Sequence, residues 1–341
     1  CEYYADNAEA MLAVTDAGTE ATRSYWAPRP LGVVLGIMPW NFPHWQVFRF
    51  AVPTLMAGNG VLVKHAPNVP GCAEDIAEIF RSAGLPEGLF GNLRIEPDVI
   101  SDLMADDRIA AVTLTGSVPA GKAVASRAAG LVKKTVLELG GSDPYVILED
   151  ADLDHAAERC VTSRMMNSGQ TCIAAKRLIV LDEVHDAFVE RVLTRMREYE
   201  MGDPRDDRTM LGPLARLDIR DEVHRQVVES VDGGAVCRLG GEIPDRPGAW
   251  YPATVLTGVT PGMPAGSEEV FGPVASVLRA PDEDTAVEWA NGTRYGLGAA
   301  VFTSDVERGE RIARDRLEAG ACFVNDFVRS HPQLPFGGIR D

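Results

Sequence analysis

The sequence predicts an α/β protein with two βαβ-type domains and mainly parallel sheets, on three observations. Apolar, β-branched runs alternate with amphipathic segments along most of the chain, the pattern of strands joined by crossover helices. At the usual size of about 150 residues per domain, the chain of 341 residues holds about two. Gly140 and Gly141 break the chain directly after an apolar strand, separating residues 1–140 from 141–341.

The elements follow in order. Strands are expected at residues 31–37, 61–63, 109–114, 135–139, 145–148, 178–181, 274–278, 299–302 and 321–324, each a short apolar or β-branched run bounded by polar or turn-forming residues. Cys72, Ile76, Ile79, Phe80 and Ala83 recur at helical spacing, and Gly84 suits the left-handed cap that ends a helix. Val184, Phe188, Val192, Met196 and Tyr199 form a second stripe. Both stripes read as faces buried against a sheet rather than as cofactor sites. Residues 203–208 and 241–248 are polar and rich in turn formers, as surface loops are.

Composition narrows the partners. A net charge of −17, with both signs intermixed, disfavours nucleic acid and anionic membranes, which attract a basic face, and leaves small molecules as the expected partners. No run approaches the about 18 apolar residues of a membrane span, and no basic-then-apolar leader pattern is present in a chain that starts at Cys1. A soluble protein is expected. The six cysteines (1, 72, 160, 172, 237 and 322) are scattered without a C-x-x-C pair, which fits a reducing cytoplasm, and no metal-ligand spacing of histidines occurs.

Four segments could carry chemistry. Residues 116–123 (G-S-V-P-A-G-K-A) follow a strand and open a helix at Pro119, with Ser117 as its N-cap, so free N–H groups there could hold an anion. The segment nearly spells a phosphate-binding P-loop around Lys122. Ala123, however, stands where the magnesium-binding hydroxyl belongs. In N-S-G-Q-T-C-I-A-A-K-R, Cys172 lies between polar residues and a strand, and Lys176 and Arg177 add positive potential that favours the thiolate; a small buried hydrophobe is the alternative. Glu138 interrupts an apolar strand. Burial would raise its pKa towards a general base's range, unless it merely pairs with Lys133, Lys134 or another basic group. In P-W-N-F-P, two prolines stiffen the backbone around Asn41, whose amide could donate to an oxyanion or simply fill a packing corner. The standard G-x-G-x-x-G fingerprint is absent.

Taken in order, P-W-N-F-P, V-L-V-K, T-G-S-x-x-x-G, L-E-L-G-G, G-Q-T-C, E-E-V-F-G-P-V and P-F-G-G resemble the aldehyde dehydrogenase superfamily from near residue 1 to the end. The variants K-H-A-P-N, E-L-G-G-S-D-P and C-I-A-A-K-R are most similar to its bacterial succinate-semialdehyde dehydrogenase branch. The resemblance implies oxidation of an aldehyde with NADP or NAD, through a thiohemiacetal and a thioester on Cys172. Glu138 would be the base that activates the hydrolytic water, and Asn41 with the Cys172 N–H would form the oxyanion hole. By the same resemblance, Met38, Pro39, Trp40, Lys64, Gly116, Ser117, Gly121, Leu139, Glu269 and Phe271 contact the cofactor. Pro67 stands where a glutamate commonly repels a 2′-phosphate, so NADP is permitted. Arg49 matches an arginine that grips a substrate carboxylate, with Arg164, Ser330 and Phe336 as further substrate contacts, whereas Met166 replaces a second arginine of relatives.

The resemblance also implies a dinucleotide-binding domain at 1–140, partial and with an oligomerisation hairpin at about 19–33, and a catalytic domain at 141–341. The family's usual N-terminal segment and C-terminal arm are lacking, so the chain is expected to be a piece of a protein that forms a homodimer or homotetramer at full length. Three rival readings stay open: a thiol hydrolase pairing Cys172 with His155 or His185, a P-loop-like nucleotide triphosphatase, and an inactive fragment of the dehydrogenase fold.

Overall fold

A computed structural model describes residues 1–341, which fold as two units, Cys1–Leu139 and Gly140–Asp341. The first opens with helix α1 (Glu2–Met11) and an antiparallel hairpin of β1 (Thr15–Asp16) and β2 (Tyr25–Trp26). Then come β3 (Val33–Met38), α2 (Pro43–Met56), β4 (Gly60–His65), α3 (Pro70–Ser82), β5 (Phe90–Asn92), α4 (Ile100–Ala105), β6 (Ile109–Thr115), α5 (Val118–Gly130) and β7 (Lys134–Glu138). The five strands β3–β7 form one parallel sheet in the order β5-β4-β3-β6-β7.

This order fixes where a ligand can sit. The chain winds outward from β3 through β4 to β5, then returns to β3's other side for β6 and β7. Loops leaving β3 and β6 therefore diverge to opposite faces, opening a crevice at the strands' carboxyl ends. Leu35, Val112 and Leu114 pack in one cluster with Met104, Val124 and Ala128, while Met38, Val61 and Val63 pack in another with Val47, Ala51 and Ile76.

Several boundaries differ from expectation for local reasons. Sheet pairing starts at Val33 rather than Leu31, because Asn59 Oδ1 accepts the N–H groups of Leu31 and Gly32 (2.6 and 3.2 Å) before they reach a strand. The α3 helix starts at Pro70, whose missing N–H is harmless in a first turn, and Gly84 beyond its end takes φ +82°. The hairpin spans 15–26, not 19–33, since Val33 belongs to the parallel sheet.

The second unit contains β8 (Pro144–Ile147), α6 (Leu153–Met165), β9 (Arg177–Leu181), α7 (Asp182–Met196), α8 (Leu217–Asp232), β10 (Val236–Leu239), β11 (Thr254–Thr257), α9 (Pro264–Ser267), β12 (Val274–Ala280), α10 (Glu283–Asn291), β13 (Gly298–Phe302), α11 (Val306–Asp315) and β14 (Ala321–Val324). Its seven strands lie in the order β10-β11-β12-β9-β8-β13-β14, all parallel except the β10–β11 pair. Strands β8 and β9 are buried throughout. Tyr145, Ile147, Leu178 and Val180 pack with Cys160, Phe188 and Val192, and Val146, Leu148, Ile179 and Leu181 pack in a second cluster with Val223 and Val287. That two-sided burial is why these strands read as unbroken apolar runs. Asp152, Asp282 and Asp305 cap α6, α10 and α11 by accepting first-turn N–H groups. No helix is long and apolar enough to cross a membrane.

Candidate active site

In the first unit the singled-out residues gather at the carboxyl ends of the parallel strands. Asn41 occupies the short turn between β3, which ends at Met38, and α2, whose first residue is Pro43. Lys64 and His65 end β4. Burial holds the Lys64 ammonium below its ordinary pKa, against the opposing charge of Glu96. His65 Nε2 donates to Pro43 O (3.0 Å) while its Nδ1 accepts the Ala66 N–H (2.8 Å), so the imidazole is a neutral clamp between the end of β4 and the start of α2. Burial is the main reason its pKa lies below the usual value.

The β6–α5 turn brings together four of the expected cofactor residues. Gly116 N–H donates to Glu138 O (2.9 Å), Ser117 caps α5, and a Cβ at Gly121 would overlap the Leu139 side chain. The helix starts at Val118, one residue before the expected Pro119, so residues 118–121 are already helical and no P-loop forms around Lys122. The donor set still suits a diphosphate: the positive end of a 13-residue helix, an exposed Ser117 hydroxyl, and the Lys64 cation on a nearby strand of the same sheet.

Glu138 ends β7 with its side chain 11% exposed. It pairs, as the alternative reading allowed, with a basic group other than Lys133 or Lys134: Arg49 of α2, whose Nη2 lies 3.3 Å from Oε1. Oε2 is buried without a hydrogen-bond partner. Burial raises the Glu138 pKa and the Arg49 cation opposes the rise. A carboxylate held by one oxygen, with the other unspent and its basicity raised, is suited to taking a proton from water. Arg49, expected to grip substrate, is in the structure the counter-ion of this carboxylate.

The second unit presents Cys172, half-buried, at the end of a strained loop. After α6 the backbone passes through Asn167, Ser168 and Gly169 at φ +54°, +55° and +77°. Two non-glycine residues in the left-handed region cost of order 1–3 kcal/mol each, and persist only where neighbours over-determine them. Here they do. Thr171 Oγ1 donates to Met166 O (3.0 Å), Gln170 Nε2 to Asn167 O (3.1 Å), and Gln170 Oε1 accepts the Ala215 N–H (2.9 Å). A side chain at Gly169 would collide with the Gly272 carbonyl.

Buried cations hold the same loop. Arg164, expected to reach substrate, is fully enclosed instead, and its Nη2 donates to Gly169 O. Arg177 was expected to help bias Cys172 towards the thiolate, but its guanidinium is spent on Ser142 O, Trp289 O and Ala290 O (2.9, 2.6 and 2.8 Å), the last two at the end of α10. Lys176 alone of the two turns towards Cys172. Its Nζ donates to Thr171 O (2.9 Å) and Cys172 O (2.6 Å) and lies 3.6 Å from Glu269 Oε1, which also accepts the Gly141 N–H (3.0 Å). Phe271 stands nearby, with Nζ 6.0 Å from its ring centre. Ser330 and Phe336 are half-buried in the segment after β14.

Neither histidine of the thiol-hydrolase reading serves Cys172. His155 Nε2 donates to Asn325 O (2.7 Å), and His185 faces Asp186 and Arg279.

Sequence reasoning passed over two buried groups. Tyr145 OH accepts the Val328 N–H (2.7 Å) and bonds Ser163 Oγ (3.1 Å), which accepts the Ala175 N–H (3.0 Å), so this pair of hydroxyls joins α6, the Cys172 loop and the segment carrying Ser330. Asp143 is fully buried, Oδ1 accepting the Gly298 N–H (3.2 Å) and Oδ2 unpartnered, and burial lifts its pKa to about 7. A carboxylate set immediately before an apolar strand was the available signal. The folded state therefore keeps this proton to higher pH than the unfolded chain, and the associated stability is lost as pH rises from the ordinary aspartate range through about 7. Asp143→Asn keeps the acceptor for Gly298 and removes the ionisation, so its Tm relative to wild type is expected to rise between pH 5 and pH 8 in thermal melts. A difference independent of pH would contradict the raised pKa.

Comparison with known proteins decides the family. The aldehyde dehydrogenase family model matches residues 1–341. The chain belongs to this family. Among curated relatives, a probable succinate-semialdehyde dehydrogenase [NADP(+)] of Synechocystis is 52% identical over 340 residues, covering 100% of this chain and 75% of the relative. Succinate semialdehyde dehydrogenase [NAD(P)+] Sad of Escherichia coli K12 is 48% identical over 340 residues, covering 100% and 73%. The crystal structure of succinic semialdehyde dehydrogenase from Streptococcus pyogenes in complex with NADP+ superposes with a TM-score of 0.96 at 38% identity, covering 99% of this chain and 74% of that one. Aldehyde dehydrogenase membership accounts for a nucleotide-type sheet without G-x-G-x-x-G and lends no support to the hydrolase, triphosphatase or inactive-fragment readings.

Proposed function

We propose that this aldehyde dehydrogenase oxidises succinate semialdehyde to succinate with reduction of NADP or NAD. The observation that carries the reaction is the setting of Cys172: a half-buried cysteine on a strained loop whose Gly169, Thr171 and Cys172 carbonyls are held by buried cations. The substrate and cofactor are carried over from the relatives named above, each about half identical over the whole chain.

In this reading the Cys172 thiolate attacks the aldehyde carbon, and the Asn41 amide and Cys172 N–H hold the resulting oxyanion. When bound, the nicotinamide supplies the hydride acceptor that turns the thiohemiacetal into a thioester. Glu138 then takes a proton from water, the hydroxide adds to the thioester carbonyl, and the C–S bond breaks to release the carboxylate and the thiolate. Met38, Pro39, Trp40, Lys64, Gly116, Ser117, Gly121 and Leu139 of the first unit, with Glu269 and Phe271 of the second, would hold the dinucleotide. Residues 1–140 are accordingly the dinucleotide-binding domain and 141–341 the catalytic domain. Pro67, in place of a repelling glutamate, leaves room for a 2′-phosphate. Six cysteines, none in a disulfide, are in keeping with a cytoplasmic protein. Tyr25 and Trp26 of the hairpin, each more than half exposed, support assembly of the full-length protein as a homodimer or homotetramer.

Substrate charge is tested through Arg49. Arg49→Met is expected to raise KM for succinate semialdehyde by about 10-fold or more, as loss of a charge-assisted bond does, and to change KM for an uncharged aldehyde of similar length far less. Steady-state kinetics with both substrates makes the comparison. Equal changes would remove the substrate assignment and leave Arg49 only as the counter-ion of Glu138.

A further inference from the structure

We propose that Lys176 is a positioning residue for the oxyanion step, its buried ammonium setting the peptide whose N–H, that of Cys172, faces the developing charge. This rests on the reading of Cys172 as nucleophile. The Thr171 carbonyl and the Cys172 N–H belong to one peptide unit. In a planar trans peptide they point in opposite directions, so a donor that grips Thr171 O aims the Cys172 N–H the other way. Lys176 Nζ makes that grip at 2.9 Å and takes the Cys172 carbonyl, in the next peptide, at 2.6 Å. Both peptide planes flanking the Cys172 Cα are thereby fixed by one cation. A charge on the carbonyl side also polarises the unit and strengthens its N–H as a donor.

The burial of Lys176 needs such an explanation. Its side chain is 1% exposed, and a charge placed there carries a desolvation penalty that a methionine of similar length would avoid. Three donors are available on an ammonium: two go to the carbonyls on either side of Cys172, and Glu269 Oε1 lies 3.6 Å from the same nitrogen. The nucleophile's main chain and the Glu269 carboxylate assigned to the cofactor are thus organised by the same group.

The test compares two reactions of Cys172 in the full chain, aldehyde oxidation and alkylation by iodoacetamide. Alkylation is displacement at a saturated carbon and forms no oxyanion; it is followed by mass on the Cys172 peptide at a pH where its rate has levelled off. Lys176→Met is expected to lower kcat/KM for the aldehyde by about 10²–10³-fold, the usual loss for an oxyanion donor, while the limiting alkylation rate changes by less than about 3-fold. Lys176→Gln, neutral but still an N–H donor, is expected to fall between Met and wild type, and it carries the same comparison if the Met variant does not fold. Unchanged oxidation, or oxidation and alkylation falling together as a collapsed loop would make them, overturns the proposal. Turnover surviving in Cys172→Ala would instead overturn the nucleophile assignment, whatever Lys176 does.

Discussion

Replacing Cys172 with alanine is expected to abolish aldehyde oxidation, by about 10⁴-fold or more, while leaving the fold and NADP binding in place. The size follows from the covalent chemistry proposed above, in which without the sulfur there is no thiohemiacetal from which a hydride can leave. Cys160 is fully buried with its thiol pushed well above its ordinary pKa, and Cys322 is raised to about 11, so neither offers a thiolate at neutral pH. Retention of the fold follows from the loop itself. Its geometry is held by Thr171, Gln170, Arg164 and Lys176 through backbone carbonyls and side-chain amides, none of which involves the sulfur. Thermal shift with NADP reports the binding, since a ligand taken up only by the native state raises apparent stability. Reduced nicotinamide formation at wild-type rates in this variant would remove the mechanism.

What the sequence made legible follows a physical division. Strands buried on both faces, such as β8, β9 and β13, leave continuous apolar runs and were anticipated within a residue or two. The β10 strand, mostly exposed, and β5, Phe-Gly-Asn, carry no such signature, and β11 is bracketed by threonines although buried throughout. Cys172 and Glu138 stood out because each is a reactive group in a setting that disfavours it. Their partners did not. The Arg49–Glu138 pair joins a helix to a strand distant in sequence, and only the sheet order brings them together. Lys176 looked like a source of diffuse positive potential, but the positioning role proposed for it depends on where two carbonyls point. That in turn depends on Asn167 and Ser168 taking a left-handed backbone, which asparagine tolerates and serine does not favour. Arg164 misled for the opposite reason: a charge is expected near water, and this one is enclosed with Nε and Nη1 unpartnered.

Glu138→Gln is expected to stall the enzyme after hydride transfer. Mixing the variant with saturating aldehyde and NADP should give a burst of reduced nicotinamide approaching one per Cys172, followed by turnover slower than wild type by about 10²–10⁴-fold, the usual contribution of a general base. Glutamine preserves the shape of the side chain and can still face Arg49, so the burst itself should survive, and mass analysis should find the acyl group on Cys172. The wild-type pH profile carries the same assignment. Burial raises the Glu138 pKa and Arg49 lowers it, so hydrolysis of the acyl-enzyme should rise with pH through a value above that of an ordinary glutamate. Removing the Arg49 charge removes the opposing influence, so in Arg49→Met the inflection must move to higher pH. A shift to lower pH, or a Glu138→Gln enzyme that turns over without a burst, would mean that another group activates the water. The two substitutions therefore separate functions that the 3.3 Å contact joins: a change of KM with substrate charge belongs to the arginine, and a change in the pH dependence of thioester hydrolysis belongs to the carboxylate it faces.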